Sequence, residues 1–224
     1  MRRTILLLAT MALTLLVASG VALAVTRIGT EGPDTLRGTN GADTLIGKGG
    51  NDVLFALGGN NDNLVGGEGK DWLFGGNEDR AFGGDKNLVG GAGNDGVLGG
   101  EGSDNLTGNS GNDIVNDAGG PDNILGGDGN DLLGDGEVRG GATDILAAGD
   151  GNDVINPGNK PAKKDIVTCG SGFDRVLADR ADVVAPDCEK VAVGLAARRE
   201  LDQRIEESGF YDRLFEGLAP YPGG

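Results

Sequence analysis

From Gly90 to Leu133 the chain repeats itself every nine residues, and no other feature of the sequence restricts the fold as much. Asp95, Asp104, Asp113, Asp122 and Asp131 stand at that fixed spacing, and an apolar side chain follows each at the second position: Val97, Leu106, Val115, Ile124 and Leu133. Nine residues hold one turn and one short strand, in which alternate side chains face a common interior. Two repeats then close one coil, and turns eighteen residues apart stack on the same edge. The expected pairs are Asp95 with Asp113, Asp104 with Asp122 and Asp113 with Asp131, each with a cation between the stacked turns. The expected fold class is therefore all-β, a parallel β-roll or β-helix solenoid of nonapeptide repeats. A flexible Gly/Asp-rich linker has a similar composition, but a linker has no reason to keep an apolar residue in register behind each aspartate.

Glycine supplies a turn with positive φ and backbone carbonyls that no Cβ crowds. Aspartate adds a hard anionic oxygen, and carbonyl plus carboxylate oxygens are the donor set that Ca²⁺ takes. The candidate ligands begin with Asp34, Asp43 and Asp52, nine apart, with Leu36, Leu45 and Leu54 inward. They continue with Gly66, Gly67, Gly69 and Asp71, then with Gly90, Gly91, Gly93 and Asp95. Gly99, Gly100, Gly102 and Asp104 form the next turn, followed by Gly108, Gly111 and Asp113, and then by Asp122. Gly126, Gly127, Gly129 and Asp131 close the regular block, and Asp153 recurs within AGDGNDVI. Several Ca²⁺ ions are the implied cofactor.

The register slips between Phe55 and Leu88. Asp62 follows Asp52 by ten, Asp71 follows by nine and Asp79 by eight, with Ala81 in an inward position and Asn87 near the place where an aspartate is due. This part is expected to keep the coil and lose some metal sites. Asp144 comes thirteen residues after Asp131, Asn156 to Lys164 reads as a loop between rungs, and Asp165 and Asp174 resume the rhythm with Val167 and Val176 inward. Trp72, the single tryptophan, is expected on the outer face, as a surface aromatic covering a neighbouring rung in preference to a carbohydrate platform. About fourteen repeats make seven coils, a rod of about 35 Å.

The two ends differ from the middle. Arg2, Arg3, the apolar run Ile5 to Ala18 and Ala22-Leu23-Ala24 read as a signal peptide over residues 1–24, since the apolar core is too short to span a bilayer. Its removal leaves 17 basic against 35 acidic side chains, a net charge of −18. So acidic a chain is a poor nucleic-acid binder, and a metal ion is the simplest cationic partner. Cys169 and Cys188 are the only cysteines, and in an oxidising compartment a disulfide is favoured, since two cysteines fall short of the four ligands of structural zinc. Such a bridge is worth about 3 kcal/mol in the chain-entropy model, and would clamp the last rungs. Residues 190–224 have fewer glycines, and Leu201, Ile205 and Leu214 at helical spacing suggest a short helical tail, disordered at PYPGG, after a roll at 25–189.

Residues 32 to 189 resemble the RTX, or hemolysin-type, calcium-binding repeat family, with the best local matches at Gly90 to Asp95, Gly99 to Asp104 and Gly126 to Asp131. The segment CGSGFDRVLADRADVVAPDCEKV also resembles the cysteine-paired terminus of secreted actinobacterial members. The resemblance implies a parallel β-roll whose turn carbonyls and aspartates bind Ca²⁺. It does not imply toxicity, because the catalytic or pore-forming regions of the toxins have no counterpart among these residues.

The function expected is that of a secreted calcium-ion-binding repeat protein, not an enzyme, whose folding is coupled to the metal. Calcium is the expected partner, with no nucleic acid, no stable membrane insertion after signal cleavage, and an extracellular or cell-surface partner left open. The competing functions are an extracellular adhesive or structural surface protein and, less favoured, a polysaccharide-acting enzyme. The chain has no histidine, which excludes Ser-His-Asp and Cys-His machinery. A paired-carboxylate glycosidase stays formally open, although the repeat already accounts for the aspartates.

Overall fold

The computed structural model describes residues 23–76, 84–135, 142–158 and 163–194, with Gln203 in addition. The expected signal peptide up to residue 22, the expected helices around Leu201, Ile205 and Leu214, and Asp79 and Ala81 lie outside the described residues. The strands are β1 (Thr26–Ile28), β2 (Thr35–Arg37), β3 (Thr44–Gly49), β4 (Val53–Phe55), β5 (Asp62–Glu68) and β6 (Trp72–Phe74). Then come β7 (Lys86–Ala92), β8 (Gly96–Leu98), β9 (Asn105–Ser110), β10 (Ile114–Asp117), β11 (Asn123–Asp128) and β12 (Leu132–Asp135). The last six are β13 (Ile145–Gly151), β14 (Val154–Asn156), β15 (Ile166–Gly172), β16 (Arg175–Val176), β17 (Val183–Val184) and β18 (Lys190–Val191).

Odd-numbered strands form one nine-stranded parallel sheet and even-numbered strands the other, so the chain climbs by alternating between two walls. Every described pairing is parallel and joins a strand to the one two places on; Ile114 pairs with Leu132 and Asn123 with Ile145, for example. This is the expected β-roll. It has nine strands in each wall where seven coils were expected, because pairing runs on through Val183–Val184 and Lys190–Val191. Nine strands at the usual inter-strand spacing span about 38 Å.

From β3 to β16, one aliphatic per strand fills the interior. Leu45, Leu64, Leu88, Leu106, Ile124, Leu146 and Val167 form a column under one wall, facing Leu54, Leu73, Val97, Val115, Leu133, Ile155 and Val176 under the other, all fully buried. Strand alternation places them there, since the neighbours on either side of each must point outward. Cys169 is bonded to Cys188 with the Cα atoms 5.2 Å apart, tying β15 to the segment between β17 and β18.

Trp72 departs from expectation. Its indole is 6% exposed and stacks on Phe74 at 5.9 Å, which in turn stacks on Phe55 at 4.9 Å. Gly96, its partner in the next strand, leaves room for the ring, because a Cβ there would collide with the indole. It does lie over a neighbouring rung, as expected, but it is buried and not a surface aromatic. The ring is therefore no platform for a sugar. Arg37 lies 4.3 Å over the Phe55 ring and closes the outer end of this stack.

Candidate metal centre: the stacked turns

Each coil has two turns, one on each edge of the roll. On the first edge, every turn from the first glycine-type position to the aspartate holds six residues: 29–34, 47–52, 66–71, 90–95, 108–113, 126–131, 148–153 and 169–174. On the second edge, five of the eight turns depart from six residues: 56–62, 75–86, 135–144, 157–165 and 178–182. All the register slips of the sequence therefore fall on one side of the molecule.

The repeat aspartates build a spine up each edge. Oδ1 of Asp113 accepts the backbone N–H of Asp95 at 2.8 Å, and Oδ1 of Asp131 accepts that of Asp113 at 2.8 Å. The same link joins Asp34 to Asp52, Asp52 to Asp71, Asp71 to Asp95, Asp131 to Asp153 and Asp153 to Asp174, ending on Glu189. On the second edge it joins Asp43 to Asp62, then Asp104 to Asp122, Asp122 to Asp144, Asp144 to Asp165 and Asp165 to Asp182. The three aspartate pairs expected from the spacing are thus stacked neighbours. A parallel spine of asparagines runs beside it: Oδ1 of Asn94, Asn112 and Asn130 accepts the N–H of Asn112, Asn130 and Asn152. Sequence reasoning missed this second spine, although an asparagine precedes Asp52, Asp95, Asp113, Asp131 and Asp153.

With Oδ1 engaged, Oδ2 is the oxygen in question. It is buried with no hydrogen-bond partner in Asp52, Asp71, Asp95, Asp113 and Asp131 on the first edge and in Asp62, Asp104 and Asp144 on the second. On the first edge the first glycine of each of these turns faces it. A Cβ on Gly90 would lie 2.6 Å from Asp95 Oδ2 and 2.9 Å from the carbonyl oxygen of Gly108 in the next coil. A carboxylate of one turn and a carbonyl of the next therefore converge beside an α-carbon that carries no side chain. The second and third glycines have a different role: Gly91 and Gly93 have φ of 128° and 135°, as the turn requires.

Asp34 and Asp43 differ from the rest of the expected ligands. Asp34 Oδ2 accepts from the N–H and hydroxyl of Thr30, and Asp43 Oδ2 from those of Thr39, so the first coil satisfies these carboxylates internally. The structure also corrects one position. Lys86, not Asn87, takes the aspartate place in β7: it pairs with Asp62, and its N–H is bound by Asp104 Oδ1. Asn87 lies one residue further on, where its amide donates to Asn63. Lys86 is 3% exposed, and its ammonium donates to the Gly84 carbonyl at 2.8 Å. A buried lysine thus stands between two stacked carboxylates and supplies positive charge within the spine.

Loss of hydration is the largest influence on these acids. It pushes Asp71 and Asp104 up to about 6, Asp95, Asp131, Asp153 and Asp165 to about 7, and Asp113 and Asp144 to about 8. The backbone N–H of the preceding coil pulls Asp95 and Asp113 back down, while neighbouring carboxylates raise them further. Asp62 is also raised by burial, with Lys86 among the influences that oppose the rise. Asp62, Asp144, Asp165 and Asp174 stood in the sequence rhythm but outside the expected ligand set. Asp117 and Asp135 lie outside the aspartate register altogether.

These features define a class: a parallel β-roll whose stacked glycine turns present buried carboxylates to one another along both edges. The model of the RTX calcium-binding nonapeptide repeat matches residues 28–61, 58–85, 81–115, 107–133 and 139–159, more than half of the chain. The chain belongs to that family. No curated protein and no solved structure matches it.

Proposed function

We propose that this is a secreted calcium-binding repeat protein in which the metal completes the fold. The observation that carries the reading is the row of buried, unpartnered Oδ2 atoms on the first edge, where those of Asp52, Asp71, Asp95 and Asp131 each lie beside a glycine whose missing side chain leaves a carbonyl oxygen of the next coil within reach. An ionised carboxylate buried without a partner costs several kcal/mol. A thin core of one aliphatic per strand cannot carry many such costs. A divalent cation shared between a carboxylate and backbone carbonyls removes them, and an all-oxygen donor set of this flexibility suits Ca²⁺ better than Mg²⁺. On the first edge the ligands are Asp52, Asp71, Asp95, Asp113 and Asp131 with the carbonyls of their glycine turns; Asp153 stands outside the set, because Ala148 fills the place of the first glycine in its turn. Bound calcium supplies positive charge between coils, and its binding free energy becomes folding free energy. Secretion is supported by the signal-like residues 1–24 and by the Cys169–Cys188 bridge, which suits an oxidising compartment.

The test is far-UV circular dichroism of residues 25–224, stripped with EDTA and titrated with CaCl₂ or MgCl₂. A coil spectrum turning cooperatively to β-sheet with calcium, and not with magnesium, is expected. A spectrum already β-rich at pH 8 in EDTA and unmoved by calcium overturns the reading.

A further inference from the structure

The second edge carries a chemistry that the repeat does not. In the turn that begins at Gly99, the first position is glycine; in the next two coils the same position holds Asp117 and Asp135, which are register partners in β10 and β12. Neither backbone has a positive φ, so a side chain is accommodated there. Both are buried, at 2% and 4% exposure, in place of the side-chain-free position used on the first edge. Asp117 Oδ1 and Asp104 Oδ2 both face the α-carbon of Gly99, and a Cβ on that glycine would meet both. Asp104 Oδ2 has no hydrogen-bond partner, and the residue is 2% exposed. Two coils further on, Asp144 repeats this state with Oδ2 unpartnered and the residue fully buried. Asp104, Asp117 and Asp122 each bring a carboxylate oxygen within 4.8 Å of the others, as do Asp135, Asp144 and Asp165.

We propose that these two triads are separate cation sites, of three carboxylates each, that bind Ca²⁺ more tightly than the repeat turns do. A turn on the first edge brings one carboxylate and neutral carbonyls of its own, whereas each triad brings three carboxylates into a space closed to water. Affinity of oxygen sites for calcium rises with the number of charged ligands. The backbone helps to hold one of them open: Asp117 accepts the N–H of Gly100 on Oδ1 and that of Gly119 on Oδ2, which fixes the carboxylate in place. Each triad spans two coils, and the two lie in adjoining pairs of coils. They would fill first as free calcium rises and would order the middle of the roll before its ends.

The inference rests on the calcium reading above only for the identity of the ion, and its test separates the two. The full mature chain is titrated with Ca²⁺ against a competing chromophoric chelator, alongside Asp117→Gly, Asp135→Gly, the double variant and Asp113→Asn. Glycine is the residue found at this position in the preceding turn, and Asp117→Asn and Asp135→Asn serve as isosteric versions should a glycine variant fail to fold. In the unaltered chain two equivalents are expected at free calcium at least about tenfold below the rest. Each single Asp117 or Asp135 variant removes one tight equivalent and the double variant removes both, while the weak class and the β-sheet spectrum at millimolar calcium persist. Asp113→Asn removes a weak equivalent and leaves both tight ones. A single uniform class in the unaltered chain, or two tight equivalents surviving in the double variant, overturns the proposal but not calcium binding by the repeats. Absence of any calcium binding overturns both.

Discussion

At the scale of single residues, the turns separate two uses of glycine that the sequence writes identically. Gly90 and Gly93 both belong to GGAGND, yet Gly90 has no unusual φ and Gly93 has φ of 135° with its α-carbon against the Gly69 carbonyl. Ala148 occupies the Gly90 position of a later coil, which shows that the fold accepts a methyl there. Gly90→Ala is therefore expected to keep the β-sheet spectrum at saturating calcium and to lose one bound equivalent. Gly93→Ala forces both strain and a clash, and should destabilise by at least about 2 kcal/mol in urea unfolding at the same calcium. Equal losses of stability in the two variants would mean that the first glycine serves the backbone and not the ion. Lys86 allows a complementary experiment. Its buried ammonium lies in the spine between Asp62 and Asp104, and a neutral side chain leaves that stretch of carboxylates without its fixed cation. Lys86→Gln should lower stability by about 3 kcal/mol at saturating calcium and raise the calcium concentration needed to fold half the chains. An unchanged urea midpoint would show that the lysine is incidental.

At the scale of elements, the difference between the two edges governs what the roll tolerates. Turns of the first edge link coil to coil through both the aspartate and the asparagine spines, whereas those of the second edge accept insertions in four of eight coils. Four residues of Gly-Ser sequence inserted at 159–162, between β14 and β15, should lower the unfolding free energy measured in urea by no more than about 0.6 kcal/mol, the cost of lengthening a loop. The same insertion between Gly93 and Asn94 interrupts both spines and should cost about 3 kcal/mol or more, from the buried hydrogen bonds it breaks. Equal effects would mean that the spines carry no stability. The stacking itself was legible in the sequence, because the nine-residue period fixes which aspartates share an edge and which side chains point inward. The one-sidedness of the insertions was not, since a slip in spacing does not say which of two turns absorbed it. Lys86 and Asp117 escaped for a related reason. Each occupies a place defined by its neighbours in the coils above and below, 18 or more residues away, and neither fits the residue type expected there. The burial of Trp72 depended on Gly96, which along the chain looks like one more turn glycine.

At the scale of the whole molecule, the carboxylates of both edges act together, and protons compete with metal for them. The sign follows from the direction of the shifts. Asp95, Asp131, Asp153 and Asp165 are raised by burial to about 7, and Asp113 and Asp144 to about 8, from an ordinary value of 3.8. Between these limits the folded, metal-free chain holds protons that the unfolded chain has released. Its stability must therefore fall as pH rises through that window, since the state with more bound protons is favoured at low pH. The contribution is fully present below about pH 4, where both states are protonated, and is lost as pH climbs past 7 to 8. In EDTA, the β-sheet spectrum should be retained or recovered near pH 4.5 and lost by about pH 8. Calcium reverses the picture: it binds the ionised carboxylates, so at pH 8 a millimolar addition restores the fold that protons maintain in acid. The two ligands thus act as alternatives on the same oxygens, so each calcium ion should displace more protons when it enters below pH 7 than when it enters at pH 8. Circular dichroism across a grid of pH and free calcium reads both effects at once. A metal-free chain equally folded at pH 4.5 and 8 would show that the buried carboxylates do not control the fold.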